Sequence, residues 1–137
     1  DLVNWEYQGT AFNKATEPDL PGGGAFWAPE IRFLNGKYVL YYSWAKMNGA
    51  DISYTAVAVG DTPMGPFLDS KELIGNKEFG SNCIDQFYYE EDGKKYMFFG
   101  SFKGIYVTEL EDDGLQWREC FLSSGSWAFG KPSWSLC

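Results

Sequence analysis

A chain of 137 residues, 45% hydrophobic and 19% aromatic, is long enough to bury a core as a single domain and too apolar to be disordered. Its net charge of −8 disfavours nucleic acid and anionic membrane surfaces as partners, and no apolar run approaches the ~18 residues that would suggest a membrane span. Histidine is absent, which excludes imidazole as a base or zinc ligand unless another chain supplies it.

Residues 1–9 read as an outer strand ending at Gly9. Leu2-Val3-Asn4-Trp5 resembles Leu115-Gln116-Trp117 further along, so the chain is expected to open on the last strand of a unit whose other strands are missing. No signal peptide stands at Asp1; a leader was removed or never included. Residues 10–24 close on Pro21-Gly22-Gly23-Gly24, lack periodicity, and predict a loop crossing between units.

The first full unit begins at Phe26. Trp27, Pro29, Ile31 and Phe33 fall on one parity and Ala28, Glu30, Arg32 and Leu34 on the other, a period of two that predicts a strand; Pro29 would break a helix. Asn35-Gly36 follows, a dipeptide suited to the two-residue turn of a hairpin. Tyr38-Val39-Leu40-Tyr41-Tyr42 is apolar on both faces and predicts an inner strand covered on both sides. Met47-Asn48-Gly49-Ala50 predicts the second turn of the unit, and the Pro- and Gly-rich Asp61-Thr62-Pro63-Met64-Gly65-Pro66 the third.

The plan repeats from Cys83, with Asp92-Gly93 at the turn, 57 residues after Asn35-Gly36. Third strands are expected at residues 52–59 and 105–110, each followed by a short fourth. Self-similar four-strand units of this length, rich in aromatics, predict an all-β fold of antiparallel β-propeller blades. The expected divisions are the end of a preceding blade at 1–9, one blade at 26–74, another at 83–117, and an atypical tail at 118–137. The acidic run Glu111-Asp112-Asp113-Gly114 reads as a solvated outer turn. In the tail, two of the three cysteines and Trp127 and Trp134 accompany five serines and three charged residues, with no strand–turn alternation. It is read as a docking strand or as out-of-register sequence. Cys83, Cys120 and Cys137 lack CxxC spacing, so no metal or redox motif is expected; three free thiols are expected ahead of one disulfide with a cysteine left over.

The first residues of innermost propeller strands line the central cavity, which places Trp27-Ala28-Pro29 and Ile84-Asp85-Gln86 around it. A carboxylate at Asp85 is costly to bury unless hydrogen-bonded or functional; the plainer alternative is that it caps a neighbouring loop. Trp27 offers an apolar ring to the C–H face of a sugar, or is an ordinary core tryptophan.

Phe-Trp-Ala-Pro-Glu-Ile, Asn-Gly-Lys-Tyr and Leu-Tyr-Tyr-Ser resemble the second blade of glycoside hydrolase family 43, five-bladed β-propeller arabinanases, arabinofuranosidases and β-xylosidases. Gly65-Pro66-Phe67, Ile84-Asp85 and Asp92-Gly93-Lys94 resemble the passage into its third blade, and residues 1–5 the end of its first. The resemblance covers residues 1 to about 117. It implies inverting hydrolysis of arabinose- or xylose-containing plant polysaccharide, without a cofactor or metal, by a secreted or periplasmic protein. It also implies that Asp85 is the aspartate that orients the general acid and raises its pKa, and that Trp27, Ala28 and Ile84 wall a sugar subsite. The general base and the glutamate acid match no position here, Glu30 is not a substitute by motif, and Gln86 departs from the usual proline.

Two readings follow. In one, the chain is part of a glycosidase, truncated and inactive alone. In the other, it is a non-catalytic carbohydrate-binding or self-associating β module, with a homo-oligomer formed through exposed blade faces.

Overall fold

The computed structural model describes residues 2–22, 24–46, 52–79, 83–101, 104–124 and 133–136. Among them, nine strands form two antiparallel sheets. The first holds β1 (Ala25–Leu34), β2 (Lys37–Ala45), β3 (Ser53–Gly60) and β4 (Leu68–Gly75) in that spatial order. One helical turn, α1 (Asn76–Phe79), follows β4. The second sheet holds β5 (Phe87–Glu91), β6 (Lys94–Ser101), β7 (Gly104–Leu110), β8 (Trp117–Ser124) and β9 (Ser133–Leu136), again in chain order. Both sheets are meanders in which each strand pairs with its neighbour in sequence, and the all-β, blade-like plan is the one the repeat predicts.

The two expected hairpins are present. Leu34 pairs with Lys37 and Glu91 with Lys94, leaving two residues in each turn. Asn35 and Gly36 have φ of 49° and 79°, and Asp92 and Gly93 have 51° and 75°. Two successive left-handed residues make the turn whose twist matches the flanking strands, and Asn or Asp followed by Gly reaches it with least strain.

β2 is buried on both sides because it divides two cores. Val39 and Tyr41 face the second sheet in a cluster with Leu34, Val57, Leu73, Ile74, Cys83, Tyr88, Met97, Phe99 and Leu110. Leu40, Tyr42 and Trp44 face the other way, with Tyr54, Ala56, Ala58 and Phe67, against Ala11, Phe12 and Leu20. The loop expected to cross between units therefore lies along the outer face of the first sheet. The Trp44 indole (3.0 Å) and the Tyr54 hydroxyl (2.9 Å) both donate to the Pro21 carbonyl, and the Phe67 N–H donates to the Ala11 carbonyl at 3.0 Å. Each large apolar side chain so covered contributes about 1.5–3 kcal/mol.

Three expectations change. No strand forms among residues 2–9, where Leu2, Val3, Trp5 and Tyr7 are exposed: a strand needs a partner ladder, and no described strand runs beside this segment. The simple parity of β1 is broken by a register shift between Trp27 and Glu30, with Ala28 at φ 43°. The fourth strand expected after residues 105–110 forms, but it begins at Trp117 and runs to Ser124, and β9 adds a fifth. A strand held by its backbone ladder needs no alternating pattern, so Arg118-Glu119 and Ser123-Ser124 hid how far it runs. The acidic run is gathered by Arg118, whose guanidinium lies 2.6 Å from Glu111 and 3.8 Å from Asp112, and 3.5 Å from Glu109 of β7. The expected turn at residues 47–50, Trp127, and the thiol of Cys137 lie outside the described residues.

Two glycines separate backbone strain from steric exclusion. A methyl on Gly36 meets nothing within 4 Å, whereas on Gly114 (φ 73°) it would stand 2.5 Å from the Tyr41 hydroxyl and 2.7 Å from Leu34. Gly36→Ala should lower unfolding free energy by about 1 kcal/mol through its left-handed φ alone. Gly114→Ala should cost about 3 kcal/mol, since it also displaces the Tyr41 hydroxyl from the Gly114 carbonyl. Urea unfolding of both variants measures the difference; equal losses would contradict the packing described.

Candidate functional site

The site is built where the first strand of each sheet begins. At the start of β1, Trp27 pairs with Ser43 of β2, and its indole N–H donates to the Ala45 carbonyl at 2.9 Å. This bond turns the ring along the end of the sheet. Ala28 then enters the left-handed region at φ 43°, a conformation worth about 1–2 kcal/mol of strain for a residue with a Cβ. Its carbonyl accepts a hydrogen bond from the Gln86 Nε2 amide, which holds the bulge open.

The second sheet meets this point just before β5. The Ile84 carbonyl accepts the Gly100 N–H at 2.9 Å. Asp85 is also left-handed, at φ 55°, and its N–H donates to Ser43 Oγ at 2.9 Å. The Ser43 hydroxyl, 0% exposed, donates in turn to Gln86 Oε1 at 2.8 Å. Thr55 adds a bond from its hydroxyl to the Cys83 carbonyl at 3.1 Å. The buried hydroxyls of Ser43 and Thr55 in the first sheet are thus satisfied by the second.

Trp27, Ser43, Ala45, Lys46, Ile84 and Asp85 enclose a cavity of about 150 Å³. Three of the four residues singled out from the sequence, Trp27, Ile84 and Asp85, therefore share one cavity, although 57 residues separate Trp27 from Ile84. Ala28 is not in its lining; it contributes the carbonyl that fixes Gln86. Asp85 lines the cavity and is exposed. Water solvates it there, and the desolvation penalty does not arise. Among the described residues its contact is made by the backbone N–H, which donates to Ser43 Oγ.

Sequence reasoning missed Ser43 and Lys46. The signal for Ser43 was a lone hydroxyl ending an apolar run, on the same face as Val39 and Tyr41. Lys46 carried none, being one of many exposed lysines. Glu30 is committed elsewhere. Its Oε2 accepts the Tyr88 N–H at 2.9 Å, and its other oxygen pairs with Arg32, whose guanidinium lies 5.4 Å from the Tyr88 ring centre. An aromatic face, one carboxylate and one ammonium in a small concave space suit a hydroxylated ring. A single carboxylate does not make the acid–base pair, ~6.5–9.5 Å apart, of inverting glycoside hydrolysis.

Residues 1–127 match the family profile of glycosyl hydrolases family 43. Over 100 residues, 72% of this chain, it is 31% identical to a probable arabinan endo-1,5-alpha-L-arabinosidase A of Aspergillus clavatus, of which it covers 31%. An extracellular endo-alpha-(1->5)-L-arabinanase 1 of Bacillus subtilis is 32% identical over 85% of this chain and 38% of its own length. Among solved structures, an alpha-L-arabinanase of Cellvibrio cellulosa complexed with arabinohexaose superposes with a TM-score of 0.59 at 29% identity, covering 68% of this chain and 32% of that one. The chain spans about a third of the length of these relatives.

The seam beneath the cavity has a pH signature. Burial pushes the Tyr41 phenol well above its ordinary range, aided by the neighbouring Tyr88 and Glu30. Burial also raises Tyr88, reinforced by its hydrogen bond to Glu90, and on the other face of the first sheet it lifts Tyr54 to about 12. A folded-state pKa above the unfolded value of 10.0 means that the contribution is complete below pH 10 and lost as pH rises past it, because only the unfolded chain releases the proton. Urea stability should be flat from pH 7 to about 9.5 and fall steeply toward pH 12, less steeply in Tyr41→Phe. Full phenolate absorbance near pH 10 with the fold intact would contradict this.

Proposed function

Because the chain belongs to glycosyl hydrolases family 43, we propose that the Trp27–Asp85 cavity is part of the sugar site of a glycosidase acting on arabinose- or xylose-containing plant polysaccharide. One observation carries the reading: an aromatic ring from the first sheet and a carboxylate from the second converge on the same 150 Å³ cavity. Trp27 supplies an apolar face for the C–H side of a pentose ring and Ile84 walls the subsite, while the Ala28 carbonyl outside the lining holds Gln86. Asp85, left-handed and held by its own N–H, presents its carboxylate toward the mouth. There it orients the general acid and raises that acid's pKa, since a nearby negative charge disfavours a second one. The relatives named for arabinan hydrolysis support the polysaccharide class. The extracellular relative supports a secreted or periplasmic location.

The reaction assigned to such a site is inverting hydrolysis, in which one carboxylic acid protonates the leaving oxygen and a second carboxylate activates water on the opposite face. The acid and base correspond to no residue matched in this chain. Asp85 acts on their protonation and placement, not on the scissile bond. Each positioned acid or base contributes ~10²–10⁴-fold, so the 137-residue chain should bind sugar without turning it over.

A second reading, self-association, is favoured by a separate observation. An apolar groove of about 430 Å³ lies between residues 10–12 and β1, lined by Phe12, Phe26, Pro29, Leu40 and Tyr42 among others. Phe33 of the first sheet and Phe87 of the second are also exposed, 62% and 55% respectively. Apolar surface of this kind is normally covered, and a second copy offers both faces.

Arabinotriose titrated into the full chain should change tryptophan fluorescence saturably. Trp27→Ala should weaken binding by about tenfold, ~1.4 kcal/mol. No hydrolysis of aryl arabinosides or xylosides should be detected; robust turnover abolished by Asp85→Asn would overturn the assigned roles. Sedimentation at tens of micromolar should show a concentration-dependent dimer or larger species, and a clean monomer would remove the self-association reading.

A further inference from the structure

Three hydrogen bonds run in series across the seam between the sheets. The Asp85 N–H donates to Ser43 Oγ, the Ser43 hydroxyl donates to Gln86 Oε1, and Gln86 Nε2 donates to the Ala28 carbonyl. Their direction is fixed by chemistry. Ser43 accepts from a backbone amide, so its single proton goes to an acceptor, the side-chain oxygen of Gln86. The amide nitrogen then faces the Ala28 carbonyl, the acceptor left to it. Ser43 and Gln86 are both buried, at 0% and 7% exposure, where water does not compete.

Both ends of this series are strained. Asp85 and Ala28 are left-handed residues with a Cβ, at φ 55° and 43°. Such backbones persist when their surroundings over-determine them. Each lies beside a group of the cavity: Asp85 carries the carboxylate, and Ala28 follows Trp27 directly. Bonds in series polarise one another, so a loss at one end weakens the other.

We propose that Ser43 and Gln86 are positioning residues that couple the two sheets, fixing the Asp85 carboxylate against the Trp27 ring and so setting the width of the sugar subsite. The proposal deepens the carbohydrate reading and rests on it for its ligand. The coupling itself is a property of the chain alone. Gln86 holds the place next to Asp85 at which the resemblance leads one to expect proline. Proline has no side-chain amide, so the relay belongs to this sequence.

The test uses the full 137-residue chain, labelled for NMR, with Ser43→Ala and Gln86→Met, the second keeping the side-chain volume. Coupling makes each variant act at the far end. Ser43→Ala should shift the Ala28 carbonyl resonance upfield, and Gln86→Met should speed Asp85 N–H exchange by about tenfold. Core amides such as Met97 and Val57 should keep their protection. Affinity for arabinotriose should fall about tenfold in both variants, with no change in the Trp27 ring itself. Exchange unchanged at Asp85 in Gln86→Met, or accelerated equally throughout the core, would overturn the relay. If Ser43→Ala does not fold, the volume-conserving Gln86→Met decides. If the unsubstituted chain fails to bind arabinotriose, the carbohydrate reading falls, while the exchange comparison still decides whether the relay exists.

Discussion

The structure depends on a requirement imposed where two sheets meet: polar groups buried in an apolar seam must find partners on the opposite sheet. Hydrophobic contact between the sheets is non-directional and would tolerate sliding. The bonds do not. The Tyr41 hydroxyl reaches the Gly114 carbonyl at 2.9 Å, Thr55 reaches the Cys83 carbonyl, and the Glu30 carboxylate takes the Tyr88 N–H. Displacing one sheet by a single residue would strand all three, and each stranded buried group costs about 1–3 kcal/mol. The seam therefore sets the register in which Trp27 and Asp85 meet.

The same requirement explains how aromatics are used here. Tyr41 stacks on Tyr88 with ring centres 6.0 Å apart, while its hydroxyl satisfies the Gly114 carbonyl. A tyrosine in the seam supplies both apolar area and a directional bond, which phenylalanine or leucine would not. On the far side of β2, Tyr54 and Trp44 repeat the device against the Pro21 carbonyl, fastening residues 10–22 to the first sheet. At Leu2, Val3, Trp5 and Tyr7 the side chains are exposed and the chain forms no strand.

Much of this was legible in the sequence, for local reasons. Asn35-Gly36 and Asp92-Gly93 announce two-residue turns because few other dipeptides accept two left-handed residues, and the doubly apolar run 38–42 announces an inner strand. The spacing of the two turns gave the repeat, and the repeat brought Trp27 near Asp85. What stayed hidden is long-range. Ser43 is an unremarkable serine until Asp85 and Gln86 arrive from 42 and 43 residues away. The bulge at Ala28 could not be foreseen either, since alanine does not seek positive φ and is held there by Gln86. A fourth strand was expected after residues 105–110, but its extent to Ser124 and the fifth strand, β9, left no mark in the composition of the tail. The apolar neighbours of Asp85 in sequence left its burial open, and at φ 55° it is exposed.

The central claim is that two sheets locked in this register create a sugar subsite between Trp27 and Asp85. A crystal structure of the chain soaked with arabinotriose tests it most directly. The account predicts one pentose ring lying flat against the Trp27 indole, with a ring hydroxyl in hydrogen-bond reach of the Asp85 carboxylate and Ser43 still bonded to Gln86. Sugar bound instead along the exposed Phe33 or Phe87 faces, or an empty cavity at saturating sugar with the seam intact, would contradict it.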